Sequence, residues 1–154
     1  YVNELLMRLL SHSEPLPQLW INYKQLIQNL SNPVELKPLI QLFEKQLLSI
    51  LGYDLPLTHT AQTNKSISAE AQYYFDPQAG FMEQPEHLSS NHSIPGWVLL
   101  QYNQEHITAD IEPVIQYINQ QALKVLLGDK PLNSRQFFSR KSIHIPASLP
   151  EAHS

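Results

Sequence analysis

The sequence contains no cysteine among its 154 residues. That excludes a disulfide framework, a thiolate zinc site and a cysteine nucleophile. Glycine is scarce at 4 residues, so a phosphate cradle built from backbone amides is hard to assemble. Charged residues make up only 16% of the chain, and 15 Gln with 9 Asn make its surface polar more than ionic. No apolar run approaches the ~20 residues a membrane span needs, so no membrane partner is expected. The stretch Val2–Leu10 is interrupted by Asn3, Glu4 and Arg8, which does not fit a secretory signal. The chain opens at Tyr1 without Met, and we therefore expect a piece of a longer protein.

The length suits one domain with its own core. Net charge is −4, which argues against a uniformly basic nucleic-acid coat. The charge is uneven. Residues 124–154 carry Lys124, Lys130, Arg135, Arg140 and Lys141 against Asp129 and Glu151, for +3, whereas residues 1–123 read −7. This asymmetry leaves room for a basic patch on an acidic body.

Hydrophobic spacing predicts helices at both ends. Val2, Leu5, Leu6, Leu9 and Leu10 form a first stripe, closed by Pro15 and Pro17. Leu16, Leu19, Trp20, Tyr23, Ile27 and Leu30 form a second. A third opens at Asn32-Pro33-Val34-Glu35, where Asn can cap, Pro suits the first helical position and Glu completes a capping box. Its apolar face is Leu36, Leu39, Ile40, Phe43, Leu47, Ile50 and Leu51, and Gly52 is the expected stop.

Residues 53–93 read differently. An aromatic run before Asp76-Pro77-Gln78-Ala79-Gly80 predicts a hairpin pairing Gln72–Phe75 with Gly80–Met82, and the rest reads as long loop. A short helix near Pro95–Tyr102, capped by Ser93, follows. Ile111, Val114, Ile115, Ile118, Ala122, Val125 and Leu126 predict a further helix with Pro113 in its first turn and Gly128 at its end. A last short helix fits Ser134–Arg140, and 142–154 reads as a flexible tail. The expected fold is mainly α: a helical bundle with a small β-hairpin insertion.

The chemistry-bearing residues are scattered. Of His12, His59, His87, His92, His106, His144 and His153, none makes the His-x-x-x-His pair of a helical metal site. His87 and His92 lie five apart in loop with no third ligand in view. No nucleophile elbow, glycine-rich phosphate loop or paired helical acids occur, so no enzyme is expected and no cofactor is implied. Lys130, Arg135, Arg140 and Lys141 interleave with Phe137 and Phe138 around a predicted helix start. Such cations can neutralise phosphates; equally, the two Phe can dock that helix while the cations only solvate it. From charge alone the second alternative is favoured. Leu42 and Leu48 lie off the main stripe of the third helix, so that helix is either buried on two sides or exposes an apolar groove, with Lys37 and Lys45 at its flanks.

Three blocks together carry a resemblance. They are Tyr1-Val2-Asn3-Glu4-Leu5-Leu6-Met7-Arg8-Leu9-Leu10, then Phe43-Glu44-Lys45-Gln46-Leu47-Leu48-Ser49-Ile50-Leu51-Gly52-Tyr53, and Gly128-Asp129-Lys130-Pro131-Leu132-Asn133-Ser134-Arg135-Gln136-Phe137-Phe138. In that order, with Tyr73-Tyr74-Phe75-Asp76 and Gly80-Phe81 between, the chain resembles the C-terminal region of the RecO family of bacterial recombination mediators. The resemblance covers nearly all of residues 1–141. It implies a missing N-terminal OB-fold and a cytoplasmic, nucleoid-associated, non-enzymatic DNA repair factor of the RecFOR pathway. The implied partners are single- and double-stranded DNA, RecR and the acidic C-terminal tail of the single-stranded DNA-binding protein (SSB). Some members hold zinc with four Cys in the middle segment; Thr60 and Thr63 stand in that neighbourhood here, so the resemblance implies the zinc-free branch. Relatives often place Arg just before the Phe-Glu of the third helix, where this chain has Gln41 and Leu42.

Two candidate sites result. DNA phosphates are assigned to Lys130, Arg135, Arg140 and Lys141. An SSB tail, ending in acids and a terminal Phe, needs an apolar pocket with cations, assigned to Arg8, Lys37, Leu39, Leu42, Phe43, Lys45 and Leu47. Most of that stripe must be core, so only its edge can be a pocket. The competing classes are an interaction domain without direct DNA contact and, third, a His-based metal hydrolase.

Overall fold

A computed structural model of the chain describes residues 1–9, 17–85 and 91–128. The described residues are mainly helical, with α1 (Val2–Leu9), α2 (Pro17–Gln28), α3 (Pro33–Ile50), α4 (Gly96–Asn103) and α5 (Glu112–Leu127). Strands β1 (Gln72–Asp76), β2 (Gly80–Glu83) and β3 (Ile94–Pro95) form one antiparallel sheet in the order β2-β1-β3. The predicted Ser134–Arg140 helix and the tail lie outside the described residues.

Among the described residues, Tyr1–Leu55 with Ile115–Gly128 make one compact unit, and Pro56–Val114 make the other. In the first, α2 and α3 pack as neighbours across the short turn that joins them. Leu5, Leu19, Leu26, Phe43, Leu47, Leu48, Ile115, Ile118, Ala122 and Leu123 are its buried apolar groups. The phase of α2 differs from the sequence reading. Leu19 and Leu26 are the buried pair, while Trp20, Ile27 and Leu30 face solvent. Both pairs 19/26 and 20/27 have heptad spacing, so periodicity alone could not choose between stripes about 100° apart.

The α3 boundaries arise from its ends. Pro33 takes the first helical position, but Asn32 makes no side-chain cap bond, so that part of the expected capping box is absent. The Asn32 carbonyl instead accepts the first helical bond from the Leu36 N–H at 3.0 Å. At the other end Tyr53 N–H donates to Leu48 O and Gly52 N–H to Ser49 O, a Schellman pair with Gly52 at φ +82°. Leu48, off the predicted stripe, is fully buried, and Ile50, on it, is 37% exposed. The buried arc is therefore wider than one stripe and rotated from it.

In the second unit Tyr73 to Asp76 pair with Glu83 to Gly80, which is the expected hairpin extended by a residue at each strand end. Phe75 and Phe81 face each other in register, with rings stacked at 4.7 Å. Asp76 holds the turn by accepting the Gln78 N–H at 2.9 Å. The third strand was not foreseen, because a two-residue strand carries no periodicity. Ser93 does not cap α4: its hydroxyl donates to Gln84 Oε1, and Pro95 precedes the helix without a side-chain bond. Gly96 opens α4 against the Ser68 carbonyl and the Tyr73 ring, a closeness no Cβ could share.

Candidate partner-binding edge

Side chains three and four residues apart share a helix stripe. On α3 this places Pro38, Leu39, Lys45 and Gln46 around Leu42, and all five are half-buried. Phe43 and Leu47 are core, at 1% and 0% exposure, so of the predicted tail-binding residues they can only back the edge from inside. Lys37 is also half-buried, but its i+4, i+7 and i+11 positions are Gln41, Glu44 and Leu48. It lies on the inward side of α3, away from Leu42. Arg8 is exposed near the end of α1. Helical spacing thus sets Leu42 beside both Leu39 and Lys45, whereas Lys37 is turned about 140° from Leu42 and shares the Gln41 row with Lys45.

Behind this edge the core of the unit is polar in one place. Gln41, Glu44 and Asn119 are all buried. Asn119 Nδ2 donates to the Gln41 carbonyl at 3.1 Å, tying α5 to the middle of α3. The Tyr1 hydroxyl donates to Glu44 Oε2 at 2.5 Å, giving that buried carboxyl a partner. These bonds fix the rotation of α3, and hence which residues it presents outward. Burial raises the Tyr117 phenol on α5 above its usual 10.0, so it stays neutral at ordinary pH. The sequence reading missed the buried polar trio. Its signal was available: Gln41, Glu44 and Leu48 recur at helical spacing between the apolar residues.

The middle segment is more ordered than a long loop. His59 and Ser66 form an antiparallel bridge. Inside it the Thr60 and Thr63 hydroxyls lie 2.8 Å apart, and Lys65 N–H donates to Thr60 Oγ1 at 3.0 Å. Among the described residues no three His, Asp or Glu side chains come together as a metal site. The predicted DNA residues Lys130, Arg135, Arg140 and Lys141 lie outside the described residues.

Comparison with known proteins places this architecture. Residues 1–108 match the family described as "Recombination protein O C terminal". The chain belongs to that family. "DNA repair protein RecO" of Haemophilus influenzae (strain PittGG) is 32% identical over 141 residues, covering 91% of this chain and 59% of the relative. The protein of that name from Pseudoalteromonas atlantica is 33% identical over 91% of this chain and 58% of the relative. The Coxiella burnetii (strain RSA 331) protein is 34% identical over 88% and 59%. The chain therefore spans under three-fifths of the length of these RecO relatives. No helix among the described residues is long and apolar enough to cross a membrane.

Proposed function

We propose that this chain is the helical part of a non-enzymatic, cytoplasmic DNA repair and recombination mediator of the RecFOR pathway. In this reading it supports DNA binding and annealing, receives the SSB tail, and works with RecR. Kinship with proteins named "DNA repair protein RecO" supports the setting. The half-buried edge of α3 is the single observation that carries the tail-binding role. Leu39 and Leu42 offer an apolar footing for a terminal Phe ring, and Lys45 on the same stripe offers a cation to its acidic neighbours. Lys37 and Arg8 contribute longer-range positive charge, which salt screens. DNA phosphates fall to Lys130, Arg135, Arg140 and Lys141, within residues 124–154, which read +3.

The test of the tail site is fluorescence titration of a labelled acidic tail peptide. Lys45→Glu should weaken binding several-fold, with Lys37→Glu a smaller loss and the double variant the largest. Equal binding by wild type and the Lys37→Glu, Lys45→Glu variant would remove the pocket from α3.

A further inference from the structure

The outward face of α2 has no role in that reading. Trp20 is 57% exposed, Ile27 49% and Leu30 59%. Exposed tryptophan is costly to leave in water, and here its ring is held in one place. Tyr23 stacks on it at 5.5 Å with the planes 20° apart, and the Tyr23 hydroxyl is anchored by donating to Asn3 Oδ1 at 2.7 Å. Lys24 Nζ stands 5.5 Å over the Trp20 ring. Between Pro17 and Val34 Lys24 is the sole charged residue, although residues 1–123 as a whole read −7. The other exposed residues of α2 are Pro17, Gln18, Ile21, Gln25 and Gln28, three of them amides.

We propose that this face is a base-stacking platform for single-stranded nucleic acid, an inference that rests on the DNA-handling reading above. A flat ring pre-set by a neighbouring ring can accept a base of any identity, because every base has a π face. Lys24 is an exposed cation on a four-carbon stem, so it can leave the ring for a phosphate as the base arrives. Amide side chains bond base edges without adding negative charge. A second copy of the chain fits less well. Antiparallel pairing of two α2 helices about the Trp20–Ile27 midpoint would bring the two Lys24 ammoniums together.

The experiment uses the whole chain, which has two tryptophans, Trp20 and Trp97. Labelled oligo-dT anisotropy reports affinity, and tryptophan emission reports stacking. With Trp97→Phe, emission should fall as oligo-dT saturates; with Trp20→Phe, the remaining emission should hardly change. Trp20→Ala should weaken binding about tenfold while Trp20→Phe, which keeps a ring, loses less. Lys24→Gln should weaken binding mildly and flatten its salt dependence. Normal oligo-dT binding with no quenching in Trp97→Phe and full affinity in Trp20→Ala would overturn the platform while leaving the DNA-handling reading intact. No oligo-dT binding by wild type would overturn both. Dissociation of an oligomer by Trp20→Ala, seen by sedimentation with DNA affinity unchanged, would make the face a self-association surface and overturn the platform.

Discussion

Gly96 and Gly52 are both small for different reasons, and the difference can be measured. A Cβ at Gly96 would lie 1.8 Å from the Ser68 carbonyl oxygen and 2.9 Å from Tyr73 Cε2, so backbone would have to move. At Gly52 a Cβ meets nothing within 4 Å, and only the +82° φ opposes it. Gly96→Ala should therefore cost about 3 kcal/mol, whereas Gly52→Ala should cost only about 1–2 kcal/mol; urea midpoints of the two variants check the order. The sequence suggested Gly52, because it follows a helical stripe. It held no sign of Gly96, whose constraint comes from a carbonyl 28 positions earlier. Tyr1→Phe, which strips one donor from buried Glu44, should cost about 1 kcal/mol by the same measurement.

Helices and the hairpin were legible because burial imposes periodicities of 3.6 and 2 on the sequence. Their rotation was not. On α2 the heptad pairs Leu19–Leu26 and Trp20–Ile27 are equally apolar, and the choice depends on what α3 offers. On α3 the candidate edge was partly legible, as Leu42 lay off the stripe, but Lys37 and Lys45 looked equivalent in sequence, and of the two only Lys45 neighbours Leu42. Caps failed similarly, since Asn32 and Ser93 are good capping types whose side chains do not cap. The consequence for α3 is a contrast between two leucines. Leu48→Ala should lose about 2–5 kcal/mol of stability, as expected for a fully buried leucine. Leu42→Ala, at a half-buried site, should cost only about 1 kcal/mol and weaken the tail peptide several-fold. Equal effects of both on stability and none on the peptide would make α3 purely structural.

For the molecule as a whole, the family was legible from blocks at both ends, since those blocks combine apolar residues with unusual polar ones. The Thr60–Thr63 hydroxyl pair and the bridge around it tie the middle segment together. A chelator in metal-free buffer should therefore leave the melting temperature unchanged; a drop of several degrees would mean a bound metal ion. The proposed DNA role draws on residues 124–154, which read +3, and is the claim on which the account turns. It is tested most directly by the affinity of the chain for single-stranded DNA across salt, in wild type and in Arg140→Ala, Lys141→Ala. Log affinity should fall linearly with log salt, and loss of two phosphate contacts should flatten that slope by about 1.4. Folded wild type that binds no DNA, or a double variant with unchanged affinity and slope, would contradict the account, the first by leaving an interaction domain without DNA contact.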